Sequence, residues 1–284
     1  MEFYRPTSWR EALEIRAAQP DALPITGGTD VMVELNFDRA RPAALLDLTG
    51  VPEITGWSER EGQIQIGASM SYTAIIAELA DRLPCLALAA RTVGSPQIRN
   101  RGTAAGNLGA GSPAGDSHPP LLATGAKVHL ESVRGSRELS IDQFYLGVKR
   151  TALEPDELIR SIEVPAARGP QQFAKIGTRN AMVIAVCSFA IALDAGSRTV
   201  GTGLGSAAPT PRQATDAQDF LAEALPWADR DPLAEELANR FGELVAAAAV
   251  PIDDVRGSAR YRRHALAVLA RRTLGWAWEE YRCA

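Results

Sequence analysis

Few cysteines, few histidines and no excess of positive charge distinguish this chain, and each shortage removes a class of function. Its three cysteines, Cys85, Cys187 and Cys283, stand far apart. Structural zinc and iron–sulfur centres need thiolates at close spacing, so no metal is expected on this chain. Cys85 and Cys187 lie in apolar runs and read as small core residues. Thirty Lys+Arg against 34 Asp+Glu leave a net charge of −4, without the basic excess of a nucleic-acid binder. The longest apolar run, Ala181 to Leu193, is broken by Ser188 and is too short to span a bilayer. Glu2 and Arg5 occupy an N-terminus without an apolar signal region, so a cytoplasmic protein is expected. Neither a Gly-x-Ser-x-Gly elbow nor a P-loop occurs, which sets those hydrolase classes aside.

What is present suits a globular chain. With 284 residues, 46% hydrophobic and 23% charged, it is long enough for about two domains. Ser8 followed by Glu11 predicts a capped helix, then Leu23-Pro24-Ile25 predicts a strand and Ala44 to Leu48 another. Gln63 to Ala68 alternates as a half-buried strand does, and helices are expected over 71–80 and 84–92. Strands follow at Lys127–Leu130 and Ser161–Pro165. Past residue 171 a strand pair, Gln172–Lys175 and Val183–Leu193, gives way to helices opened by Asp231-Pro232 and by Ser258. The expected division is 1–54, 55–170 and 171–284, with α+β character throughout.

Two glycine-rich stretches carry the chemistry. In Ile25-Thr26-Gly27-Gly28-Thr29-Asp30-Val31, two glycines after a strand let main-chain N–H groups approach a pyrophosphate closely, although an ordinary strand-to-helix turn reads the same way. Residues 93–116 hold six glycines in 24 positions, where average composition predicts about two. Read as one long loop, this stretch suits wrapping a flat polar ligand. A third segment, Gly201-Thr202-Gly203-Leu204-Gly205-Ser206, lacks the following helix of a dinucleotide fingerprint because Pro209 and Pro211 intervene, and it is expected to form a turn between strands. His118 lies either within reach of a ligand or in packing, His129 is expected at the surface, and His264 sits on the basic C-terminal helix.

Taken together, Thr26 to Asp30, Gly94 to Asn107 and Ser112 to Asp116 resemble the flavoprotein (medium) subunits of the xanthine dehydrogenase and carbon monoxide dehydrogenase family of molybdenum hydroxylases. The resemblance continues through Ile159–Pro165, Phe173–Arg179 and Arg256–His264, and so spans nearly the whole chain. It implies an FAD-binding domain of the PCMH (vanillyl-alcohol-oxidase-like) type with two subdomains, followed by a C-terminal α+β domain of the CO dehydrogenase flavoprotein type. It also implies that Ile25, Thr26, Gly27, Gly28, Thr29, Asp30 and Val31 hold the FAD pyrophosphate. Thr103, Ala104, Ala105, Gly106 and Asn107 would line flavin and diphosphate. Asp116 would meet a polar part of the nucleotide, the Ile159 backbone would touch the cofactor, and Lys175 would lie beside the flavin. A cation there favours an anionic reduced flavin.

Such a subunit is an oxidoreductase component with no residue acting on substrate. The resemblance places the molybdenum cofactor on a large partner and two-iron two-sulfur clusters on a small one, in a dimer of heterotrimers, with electrons passing from the clusters to FAD and on to NAD+, oxygen or another acceptor. Ala181-Met182-Val183 stands where many relatives carry an acidic residue, and the cysteine-bearing insertion of the benzoyl-CoA reductase branch is missing. Two rival readings stay open at this stage: a stand-alone FAD oxidase of the same fold, and a non-enzymatic nucleotide-binding protein.

Overall fold

Short strands and capped helices follow one another from the first residues of the computed structural model, which describes residues 1–284. Strand β1 (Glu2–Tyr4), helix α1 (Trp9–Ala18), strand β2 (Leu23–Ile25), helix α2 (Val31–Asn36) and strand β3 (Ala44–Asp47) form a parallel sheet in the order β1-β3-β2. All four residues of the central β3 are buried, as a strand covered on both faces requires. Ser8 caps α1 by accepting from Glu11 N, while the Glu11 carboxylate accepts from Thr7 N, one residue before the cap.

A second, antiparallel sheet follows. Its members are β4 (Trp57–Arg60), β5 (Gln63–Gly67), β6 (Lys127–Ser132), β7 (Gly135–Ser140) and β10 (Leu158–Pro165), in the order β4-β5-β10-β6-β7. Ile64 and Ile66 of β5 and Val128 and Leu130 of β6 point into one core. Between β5 and β6 run α3 (Tyr72–Glu78), α4 (Pro84–Thr92), α5 (Pro96–Arg101), α6 (Ala104–Ala110) and α7 (His118–Ala123); a hairpin of β8 (Tyr145–Gly147) and β9 (Arg150–Thr151) precedes β10. The stretch 93–116 is therefore not one loop. Ser95 accepts from Ile98 N and Thr103 from Gly106 N, and these two caps fold most of it into α5 and α6.

The third sheet, β11 (Gln171–Ile176), β12 (Cys187–Asp194) and β13 (Thr199–Gly205), carries α8 (Thr215–Ala224), α9 (Glu235–Ala248) and the 25-residue α10 (Ala259–Cys283). Buried Ala265, Leu266, Leu269, Ala270, Thr273, Leu274, Ala277 and Trp278 recur at helical spacing along α10 and face Phe189, Phe241 and Trp227. Helix α9 starts after the Asp231-Pro232 expected to open it, because the Asp231 carbonyl accepts instead from Trp278 Nε1 of α10. Arg262 is buried, donating to Val186 O, Ser206 O and Asp254 within its own domain. Desolvation pushes the Asp254 carboxyl up, but hydrogen bonds from Arg256 and Arg262 carry it down to about 2.

Residues 201–205 are strand, not the turn expected from the sequence. Their glycines let the α7 backbone lie directly on β13: a Cβ at Gly201 would stand 1.8 Å from Ala123 O, and one at Gly203 2.0 Å from Pro119 O. That contact joins the C-terminal sheet to the preceding domain, with Cys85, Ala89, Ala123, Phe173 and Ala190 packed beside it. Gly203→Ala is expected to cost about 1–3 kcal/mol through overpacking. Gly275→Ala, in a helix with nothing within 4 Å of the added Cβ, is expected to be neutral or stabilising. Calorimetric Tm values for the two variants check this, and an unchanged Tm for Gly203→Ala would refute the packing argument.

Candidate functional site

The two glycine stretches meet. Gly27 lies against the end of α5, where a Cβ would come within 1.8 Å of Arg101 O, and Thr26 Oγ1 stands 3.2 Å from Thr103 Oγ1. Gly27 is thus required by the packing of one turn on the other, while Gly28 with φ +71° turns the chain into α2. Together they floor a cleft of about 520 Å³. The N–H groups of Gly27, Gly28, Thr29 and Asp30 make no hydrogen bond within the chain, and the first turn of α6 leaves Ala104 and Ala105 N–H unpaired, as helix starts do. These are donors suited to anionic oxygens.

All the residues expected at the cofactor line this cleft except Ala104, Asp116 and Lys175. Ala104, the first residue of α6, is buried. Ile159 enters from β10 beside a bulge, where the pairing with β6 slips between Ile159 and Ser161. Asp116 and Lys175 are buried together at the seam between domains, Lys175 Nζ donating to Asp116 and, at 3.2 Å, to Thr92 O. Burial pushes the Asp116 carboxyl up and Lys175 opposes it, while Asp116 Oδ1 has no partner. Partial desolvation raises the Asp30 carboxyl from its ordinary range, against the pull of Lys149.

Several lining residues had not been anticipated: Arg16, Tyr72 and Ile98, and the segment Thr151 to Leu158, of which Leu153, Glu154, Pro155 and Glu157 line one end. Arg16 is the only cationic side chain on the cleft wall. Its sole sequence signal is a basic residue in the last turn of α1, a position filled in many helices for the dipole alone.

Of the histidines, His118 packs. Fully buried, it accepts from Tyr145 OH at Nδ1 and lies 2.9 Å from Ser112 O through Nε2, which assigns the Nε2–H tautomer. It thereby anchors the 111–117 turn, whose Ser117 reaches Tyr72 OH at 2.7 Å. His129 is half-buried rather than at the surface, 3.3 Å from Glu163 across the sheet. His264 is exposed on α10. Cys85 and Cys187 are buried free thiols; burial pushes the Cys187 thiol up to about 12. No helix is long and apolar enough to cross a membrane.

Residues 1–167 match the family described as the FAD binding domain in molybdopterin dehydrogenase, and residues 172–277 match the CO dehydrogenase flavoprotein C-terminal domain. The chain belongs to this family of flavoprotein subunits, and the family is one of oxidoreductases. It is 30% identical over 281 residues to the nicotine 6-hydroxylase medium subunit of Paenarthrobacter nicotinovorans, covering 96% of each. To the carbon monoxide dehydrogenase medium chain of Hydrogenophaga pseudoflava it is 30% identical over 292 residues, covering 100% of this chain and 98% of that one. Its structure superposes with a TM-score of 0.91 and 29% identity on a carbon monoxide dehydrogenase of the same organism that lacks the Mo-pyranopterin moiety, covering 100% and 98% of the two chains. The two-part α+β architecture expected from the sequence is the one these matches define.

Burial holds the His118 pKa down at about 4, below its ordinary 6.5. The unfolded chain therefore takes up the proton first, so stability is full above the ordinary value and falls as the pH drops toward the folded one. The expected slope over that window is roughly 1.4 kcal/mol per pH unit. In His118→Gln, which does not titrate, that part of the slope is expected to vanish when denaturant midpoints are measured against pH. An identical slope in both proteins would remove His118 from the acid response.

Proposed function

We propose that this chain is the FAD-carrying electron-transfer subunit of a molybdenum hydroxylase. The observation that carries the reading is the cleft floored by two interlocked glycine turns, with unpaired N–H groups where a diphosphate needs donors. Residues 25–31 and 103–107 would hold the diphosphate and adjoining ring, with Ile159 contributing backbone from β10. Lys175 and Asp116 would border the flavin end, where Thr92 O ties Lys175 to Val93 on the cleft wall.

The chemistry FAD supplies when bound is electron exchange, singly or in pairs. The chain's own part is to bind, orient and shield. The two turns fix the cofactor with backbone groups that neither titrate nor lose side-chain entropy, and the β8–β9 hairpin, whose Lys149 pairs with Glu34 of α2, closes one side. We assign the molybdenum cofactor to a large partner and two-iron two-sulfur clusters to a small one, assembled as a dimer of heterotrimers in the cytoplasm. Electrons would leave the clusters for the FAD held here and pass on to NAD+, oxygen or another acceptor. We place the functional units at 1–54, 55–170 and 171–284. The three cysteines of this chain lie on α4, β12 and α10, an arrangement consistent with clusters held elsewhere.

Purified and supplied with FAD, the chain is expected to bind one flavin with a shifted absorption spectrum, and to co-purify with molybdenum- and iron-bearing chains from its source. Absence of bound flavin, alone or in the assembled complex, would sink the reading. Thr103→Val removes the α6 cap and the contact to Thr26, and is expected to cost about 1 kcal/mol of stability. It should also weaken flavin binding measured by fluorescence titration.

A further inference from the structure

Trp9 belongs to the helix beside the first sheet and Arg160 to a strand of the second, and neither lines the cleft. Trp9 is buried at the start of α1, where three groups hold it. Its backbone N–H donates to Glu53 at 3.0 Å, its indole Nε1 donates to the Glu131 carboxylate of β6, and the Arg160 guanidinium stands over its ring, 5.0 Å from the centroid. An indole whose N–H is committed to β6 offers the cation a face held in one orientation.

Both carboxylates around this pair are already occupied by Trp9. The Glu53 carboxyl is held below its ordinary range first by the Trp9 N–H and last by the charge of Arg160. Arg160 Nη1 is buried without a hydrogen-bond partner. The aromatic face is therefore the contact that offsets desolvation of this guanidinium.

Arg160 is also the extra residue of the bulge in β10. Ile159 pairs with Leu130 and Ser161 with His129, so Arg160 has no opposite residue on β6; its carbonyl accepts instead from Ala68 N at 3.2 Å. A bulge re-aims the side chains beside it. Ile159 and Ala68 both line the cleft, and a Cβ at Gly109 of α6 would stand 3.8 Å from Ile159 Cδ1. The side chain of the bulge residue is thus anchored on α1, while the residues next to its backbone form cleft wall. At its other end α1 holds the approach to β2, Arg16 Nη1 donating to Pro20 O at 2.9 Å and Ala22 O at 2.6 Å. Residues 25–31 follow directly from β2.

We infer that Arg160 is a positioning residue: stacked on Trp9, it sets the bulge that presents Ile159, and with it the spacing between the 25–31 turn and the β10 wall. The inference rests on the FAD reading above and adds a residue that acts on the ligand without touching it.

The test uses the full chain, with its partner subunits where these are needed for solubility, and FAD as the probe. Affinity is measured by flavin fluorescence titration, folding by thermal unfolding, and the strand by amide hydrogen exchange over residues 158–162 in the flavin-free protein. Arg160→Met, similar in reach but without the cation, is expected to weaken FAD about 3- to 10-fold, since at most the energy of one cation–π contact is drawn from binding. Exchange over 158–162 should quicken. Arg160→Lys returns a cation to the ring and is expected to recover more than half of the loss on a logarithmic scale. Beside Trp9→Leu, Arg160→Met should cost no further affinity; beside Trp9→Phe, which keeps a ring face but not the N–H, it should still cost. If Arg160→Met does not fold, Arg160→Gln takes its place. Unchanged FAD affinity in the folded variant would overturn the inference. So would a lowered Tm with affinity intact, which marks a structural pin alone, or a full loss that persists beside Trp9→Leu. A parent chain that binds no FAD would overturn the FAD reading itself, and this inference with it.

Discussion

Backbone laid directly on backbone is the constraint on which the rest of this structure depends. Between most elements of a protein, side chains set the spacing. Here two contacts omit them. Gly27 brings the first turn onto Arg101 O, and Gly201 and Gly203 bring β13 onto α7. The first contact builds the floor of the cleft from the turn after β2 and the junction between α5 and α6. The second fixes the C-terminal sheet to the helix that follows the glycine-rich stretch. A single methyl group at either place would force the two backbones apart. The hydroxyl pair Thr26–Thr103 then pins the turns laterally, at little cost in conformational freedom.

The seam between domains uses a different device. Lys175 reaches from β11 to Asp116 and Thr92, and the ammonium and carboxylate are nearly closed to water. A buried pair of this kind contributes little net stability but becomes costly if one partner is removed. It therefore specifies a position rather than adding strength: only one placement of β11 satisfies both the ammonium and the carboxylate. Rigidity behind β11 makes that placement meaningful. The apolar stripe of α10 packs on the sheet, and Arg262 ties the Asp254 loop to Val186 and Ser206.

Much of this was legible in the sequence where local chemistry decides. The capping box at Ser8, the alternation of Gln63 to Gly67 and the Pro84 helix are local signals, and the corresponding elements formed. The glycine stretches drew attention for a sound reason, yet the reason was incomplete. Glycine density made 93–116 read as loop, although Ser95-Pro96 and Thr103 are ordinary helix starts. In Gly201 to Gly205 the glycines marked a close neighbour, and the neighbour, α7, is some eighty residues away along the chain and invisible to any window. Arg16 went unread for the same cause: nothing local shows that α1 and the 151–158 segment share one wall. His118 and the Lys175–Asp116 pair likewise acquire meaning only from the elements brought against them.

The electrostatics of the cleft follow from that architecture. The chain as a whole is acidic, and Asp30, Glu154 and Glu157 stand on the cleft wall with a single cation. An anionic ligand would find little attraction in side-chain charge. The unpaired N–H groups of residues 27–30 supply it instead, as fixed dipoles that need no counter-ion and keep their strength when salt screens exposed charges. On these grounds binding to this cleft should respond weakly to ionic strength, because the groups that would attract the ligand's charge are not themselves charged.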